Sequence, residues 1–323
     1  MVVGVLADRD TGPRRFGLDR RIARSRLGRA AAGAPLLIPR AYELDDLCFG
    51  LLWAVANLDD ALLDDDSALS MAEAHLTGGE TVSNRSEGRH GDAAELSAVS
   101  KMHLGSAVCA RHILRNAESL TSPPSFWTRE QRGEEASTWL FLAHKYAYLE
   151  RTTALFSTAA GGPTRTFCVP RAAVEDSEPA ERVLLFLAVS LMESFGLQVD
   201  VCAESEYTAL QGFVLQQRRR AIVANWVGQD GIWHLDVTDH RATLREFADA
   251  RGYASACSVT AGTSPGERLR TFADYLGLDW TWLTRRCGEL GDYGTAGLVS
   301  PRSRLLSTAG VDRACSFVGG LSR

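Results

Sequence analysis

The sequence predicts an α+β protein: a mainly helical N-terminal half, then one apolar helix packed on a small antiparallel sheet, with C-terminal helices closing the chain. Three observations carry this. Apolar residues recur at helical spacing over Ala41–Leu63 and again over Leu96–Leu120, lining one face of each helix. The helix opened by Glu178-Pro179 is apolar almost all round, a pattern that belongs inside a core. Ala221–Thr238 alternates with a period of two about Gln229-Asp230-Gly231, the pattern of a hairpin whose turn glycine takes φ > 0.

The elements follow in order. Arg9, Arg14, Arg15, Arg20, Arg21, Arg24, Arg26, Arg29 and Arg40 face only Asp8, Asp10 and Asp19 across residues 1–40. This reads as a flexible basic arm, with Arg14, Arg15, Arg20, Arg21, Arg24 and Arg26 as candidate contacts to DNA. A helical domain spans 41–160. Its first helix carries Leu44, Leu47, Leu51, Val55, Leu58 and Leu62 and ends at an acidic cluster, Asp59 to Asp66, read as a solvated helix end. Ser70–Leu76 continues as short helix, and residues 77–93 are a glycine-rich polar excursion. The Leu96–Leu120 helix stops before Pro123-Pro124, and the longest helix runs from Thr128 to Phe156. Residues 161–179 read as a linker. In the 180–323 α+β domain, the apolar helix carries Val183, Leu184, Phe186, Leu187, Val189, Leu191 and Met192 and ends at Gly196. Leu197–Cys202 and Gln211–Leu215 are strands before the hairpin. Arg241–Arg251, Pro265–Leu276, Trp280–Leu290 and Val311–Leu321 return to helix.

Composition narrows the function classes. A chain of 323 residues buries a substantial core. The net charge of −5 argues against a nucleic-acid footprint over the whole surface. No apolar run of about 18 residues occurs, and charges follow directly on the short apolar start, so neither a membrane partner nor a secretory signal is expected and the location is read as cytoplasmic. Seven cysteines without a CxxC pair suit free thiols. No phosphate-cradling GxxxxGK[ST] and no HExxH is present, and no metal or other cofactor is expected.

Two constellations carry candidate chemistry. In the second hairpin strand, Trp233, Leu235 and Val237 share one face and Ile232, His234 and Asp236 the other. His234 and Asp236 are therefore the candidate catalytic pair. From Phe126 to Arg151, aromatic and charged residues interleave on helical spacing. Trp127, Arg129, Glu135, Trp139 and His144, together with Trp226 from the hairpin, are candidate ligand-binding residues for a pocket between the halves.

The order helix, strand, Gln-Gly-Phe strand, Ala-Asn-Trp-Val, turn and Gly-Ile-Trp-His-Leu-Asp-Val-Thr over residues 180–240 resembles a degenerate transglutaminase-like core. The resemblance implies a Cys-His-Asp relay with Asp236 in the acid position, set among Gly231, Trp233 and Thr238. Ala224 stands where the histidine would be, and the helix start at Glu181-Arg182-Val183 has no cysteine. Separately, RAYELDDLCFGLLWAVANLDDALLDDD, PPSFWTREQRGEEASTWLFLAHKYAYL and the GFVL to HLDVT block together resemble the regulatory region of XRE-type helix-turn-helix transcriptional regulators of actinomycete-like bacteria, without a complete DNA-binding domain. That resemblance implies a cytoplasmic, non-catalytic regulatory or sensor protein that binds a small molecule or protein partner. The alternative is a transglutaminase-like or cysteine-hydrolase enzyme using Asp236, His234 and a further cysteine.

Overall fold

The computed structural model describes residues 1–6, 12–29, 35–78, 86–88, 96–156, 162–226 and 233–321. Strands β1 (Val2–Leu6) and β2 (Arg14–Leu18) pair antiparallel, and helix α1 (Arg20–Arg29) follows. In place of a flexible arm, these residues dock on the body. Leu18 and Ala23 are buried, the Asp19 amide donates to the Gly297 carbonyl at 2.8 Å, and the Leu44 amide donates to the Arg15 carbonyl at 2.8 Å. The arginine count hides a short apolar seam that holds the segment down.

Helix α2 (Asp46–Asp64) is capped by the Asp45 carboxylate, which accepts from the Cys48 amide, and buries the expected Leu47, Leu51, Val55, Leu58 and Leu62 stripe. Helix α3 (Asp66–Gly78), strand β3 (Ser86–Gly88) and helix α4 (Ala98–Ala117) follow, α4 being capped by Ser97. Most of the 77–93 excursion lies outside the described residues.

The long helix expected from Thr128 is instead a strand and two helices: β4 (Ser125–Thr128), α5 (Gly133–Phe141) and α6 (Ala143–Phe156). Leu142 between them is extended, at φ −70° and ψ 116°. The Phe141 carbonyl accepts from Ser307 N at 2.8 Å and Ala143 N donates to the Leu305 carbonyl at 3.0 Å. No glycine or proline marks this break. Tertiary hydrogen bonds make it.

Strand β5 (Thr164–Cys168) forms within the stretch read as a linker, and helix α7 (Arg171–Glu175) precedes the apolar helix α8 (Pro179–Ser194). Gly196, at φ 80°, turns the chain into β6 (Gln198–Cys202). Strands β7 (Phe213–Gln216), β8 (Arg220–Asn225) and β9 (Trp233–Thr238) complete the sheet. The turn read at Gln229-Asp230-Gly231 lies outside the described residues. Helices α9 (Arg241–Ala256), α10 (Pro265–Tyr275), α11 (Trp280–Tyr293) and α12 (Ala309–Gly320) follow. None of the helices among the described residues is long and apolar enough to cross a membrane.

The sheet order is β3-β9-β8-β7-β4-β5-β6. Pairing is antiparallel from β3 through β4 and parallel for β4–β5 and β5–β6. The fold is α+β, and the expected antiparallel sheet is one half of a larger mixed one. Phe126, Phe167, Val199, Val201, Val214, Ile222 and Leu235 join the core that contains α8. Trp127, Phe213, Leu215, Ala221 and Val223 pack on the other face beneath Leu244, Phe247, Ala250 and Ala254 of α9.

The α5–α8 crossing is the tightest test of this packing. A Cβ on Gly133 would stand 2.0 Å from the Glu181 carbonyl oxygen, whereas one on Gly28, in exposed α1, meets nothing within 4 Å. Gly133→Ala should destabilise by at least about 1–3 kcal/mol through overpacking, and Gly28→Ala should stabilise by up to ~1 kcal/mol. Denaturant midpoints read both, and a Gly133→Ala midpoint no lower than that of the unsubstituted chain would contradict the crossing.

Candidate functional site

Strand β4 ends at Thr128, and the short connection to α5 carries Arg129 and Glu130 inward. Glu130 is buried; its Oε1 accepts from Trp139 Nε1 at 2.8 Å and from Lys145 Nζ at 3.1 Å. Lys145 Nζ also donates to Thr138 Oγ1 at 2.7 Å. In an unbroken helix, positions seven apart are separated by about 10 Å along the axis. The break at Leu142 is what brings this pair together.

The Lys145 ammonium lies 4.2 Å from the ring centroids of both Trp139 and Trp226, a desolvated cation–π cage. Burial pulls its pKa down to about 8, with the Glu130 carboxylate acting in the opposite direction. It is still mainly protonated at neutral pH. Beside it, Arg165 from β5 has its guanidinium carbon 4.7 Å from the Phe126 centroid and 4.8 Å from that of Trp139. Arg165 Nη1 donates to Thr128 Oγ1 at 2.8 Å, and Arg129 Nη1 donates to Asn225 Oδ1 at 3.3 Å. These groups surround a cavity of about 60 Å³ whose wall is completed by Cys109, Tyr148 and Gly212. Burial pushes the Cys109 thiol well up, so it is not a thiolate.

A second cavity, of about 400 Å³, lies on the other side of Tyr148 and takes in His144, Glu73, Arg111 and Arg151. His144 Nε2 and Ser106 Oγ are 2.9 Å apart, His103 Nε2 and Glu73 Oε1 are 3.0 Å apart, and the two imidazoles meet edge to face at 4.9 Å. Burial lowers the pKa of His103 and, more strongly, of His144. Both rings are neutral at pH 7.

Of the ligand-binding residues read from sequence, Trp127, Arg129, Trp139 and Trp226 come together at the first cavity and His144 lines the second. Glu135 stands apart, accepting from Gln131 N at 2.8 Å, and burial raises its pKa. Sequence reasoning missed Glu130, Lys145, Arg165 and Asn225 as members of the site. Lys145 carried a signal, since Lys101 is the only other lysine in the chain.

The candidate catalytic pair is elsewhere. Asp236 Oδ1 accepts from the adjacent Val237 amide at 2.9 Å, and the Asp236 carbonyl faces His112 Nε2 at 3.4 Å. His234 on β9 is five strands from Cys202 on β6, about 24 Å at ordinary strand spacing. A Cys202–His234 relay is out of reach. No group of three or more His, Cys, Asp or Glu side chains able to hold a metal ion occurs among the described residues. At the amino terminus, Arg15, Arg20, Arg21, Arg24 and Arg26 are exposed. Arg14 instead pairs with Glu43, and Arg26 Nη1 also donates to the Leu37 carbonyl at 2.9 Å.

Among known proteins, no family, curated sequence or solved structure matches this chain.

The buried histidines give the fold a pH dependence of defined sign. With folded values below the ordinary one of about 6.5, the unfolded chain binds more protons on acidification. This contribution to stability is therefore full above that pH and falls away below it. The melting temperature is expected to drop between pH 7 and pH 5.5, and His144→Asn should flatten the slope. An equally steep slope in the variant would assign it to other groups.

Proposed function

We propose that this chain is a cytoplasmic regulatory or sensor protein that acts in transcriptional regulation by binding a small ligand in the Lys145–Arg165 cavity. The observation that carries the reading is a pair of buried cations held against aromatic rings around a preformed opening at the end of β4. Preorganised aromatic walls with a few fixed polar groups are what small-molecule recognition requires. Catalysis finds less support, because the Cys109 thiol is held protonated by burial and the Lys145 ammonium is engaged by Glu130 and Thr138. The transcriptional setting rests on the resemblance of the three segments to XRE-type regulatory regions. It is also consistent with the five arginines, Arg20, Arg21, Arg24, Arg26 and Arg29, that α1 presents to solvent.

Ligand binding is tested with a thermal-shift and tryptophan-fluorescence screen of neutral, cationic and anionic metabolites. At least one should raise the melting temperature, and Trp226→Ala, which opens the cage at a half-buried position, should abolish that rise while the protein remains folded. A screen without a single stabilising compound would overturn the reading. DNA contact is a separate measurement: binding to mixed duplex should weaken steeply with salt. Replacing Arg20, Arg21 and Arg24 by alanine should reduce the log–log salt slope by about 0.9 per lost phosphate contact. Absence of binding at low salt would remove DNA as a partner.

A further inference from the structure

We propose that the cavity takes a small molecule through an anionic head group, a carboxylate or a phosphate, gripped by the Nε–Nη2 edge of Arg165. This rests on the ligand-binding reading above and specifies its chemistry.

Charge at Arg165 points to this. Three arginines are buried among the described residues: Arg165, Arg268 and Arg286. Arg268 is paired with Glu193, and Arg286 with Asp45 and Glu289. Arg165, 3% exposed, has no ion-pair partner among the described residues. The nearby Glu130 carboxylate is already engaged by Lys145 and Trp139. A buried charge without a counter-charge is expensive, and the Phe126 and Trp139 rings beside the guanidinium offset only part of that cost. A negatively charged ligand supplies the missing partner.

The orientation of the guanidinium edge points the same way. Arg268 shows what this chain does with the same edge: Nε donates to Glu193 Oε1 at 2.8 Å and Nη2 to Glu193 Oε2 at 2.6 Å. This is the side-on fork that matches two oxygens of one acid group. In Arg165, Nη1 is committed to Thr128, and the guanidinium lies against the Phe126 and Trp139 rings. Nε and Nη2 are both buried without a hydrogen bond of normal geometry; the neighbour beside the guanidinium is the Tyr148 hydroxyl, a neutral group that supplies no counter-charge. Both atoms ask for an acceptor, and neither would serve a ligand that donates.

Size sets the remaining limit. A drug-sized ligand needs roughly 300–1,000 Å³, whereas this cavity measures about 60 Å³. It accommodates a head group of a few heavy atoms, with the rest of the molecule at the half-buried Trp226 side.

The test uses the full chain with benzoate, inorganic phosphate and, as the neutral counterpart, benzamide, read by tryptophan fluorescence and melting temperature. Benzoate or phosphate should bind saturably and raise the melting temperature, with benzamide at least tenfold weaker. Whichever anion is preferred identifies the head group. Arg165→Met should lose at least tenfold in anion affinity without melting lower than the unsubstituted chain, because it removes an unpaired buried charge. Arg165→Lys, which keeps the charge and loses the fork, should fall between the two. Equal binding of benzamide, undiminished anion binding by Arg165→Met, or failure of both anions would overturn the proposal. If both anions fail while the wider screen yields a neutral or cationic ligand sensitive to Trp226→Ala, the anion inference falls and the ligand-binding reading stands. If that screen also yields nothing, both fall.

Discussion

The fold is organised by the burial of α8. Every side chain from Val183 to Met192 is excluded from solvent, so the helix has no face to offer water and must be enclosed on all sides. The enclosure comes from α2, α5, α10 and α12, with β6 at the sheet side. Backbone approaches are correspondingly close: a Cβ on Gly50 of α2 would stand only 3.0 Å from the Ala180 carbonyl oxygen, and Gly133 leaves room for the Glu181 carbonyl. Elements far apart in sequence thus share one core, and the positions of α5 and of the sheet are fixed against the same central rod.

The first cavity lies where that enclosure meets the seam of the sheet. Strand β4 has an antiparallel neighbour on one side and a parallel neighbour on the other, and the chain leaves it toward α5 with Arg129 and Glu130. Connections that diverge from the carboxyl end of a strand at such a junction create an opening between elements. Here α4, α5 and α6 roof it. Low-dielectric surroundings strengthen the Glu130–Lys145 attraction and make unmatched donors costly, which gives a small opening strong chemical character.

Legibility in the sequence followed the range of the forces involved. Helices α2, α4 and α8 and strands β6 to β9 were readable because their apolar periodicity is local. The β4 and β5 segments were not: β4 lies where the sequence reads as a helix entry and β5 within a stretch that reads as a linker, and each is made a strand by neighbours distant in sequence. The same holds for the break at Leu142, which depends on residues 305 to 307. Aromatic residues near the cavity stood out by type, whereas Arg165 was hidden in a short segment between Pro163 and Pro170 that reads as linker. The docked hairpin at the amino terminus was obscured for a related reason: charge count outweighs a few well-placed apolar residues in any compositional reading. Asp59 behaves similarly. Placed in a run of acids, it is nonetheless buried and accepts from the amides of Arg302 and Ser303.

That last contact gives the carboxyl-terminal third of the chain a mechanical role in the cavity. Asp59 pins residues 302 and 303, and the segment just beyond them holds open the joint between α5 and α6. Thr138 and Trp139 belong to one arm of the joint and Lys145 to the other. The angle between the arms decides whether the ammonium reaches its hydroxyl and its ring. A segment that never touches the cavity therefore works as the tensioner of its aromatic cage, and a shift in its seating would be felt at the site as a change in grip.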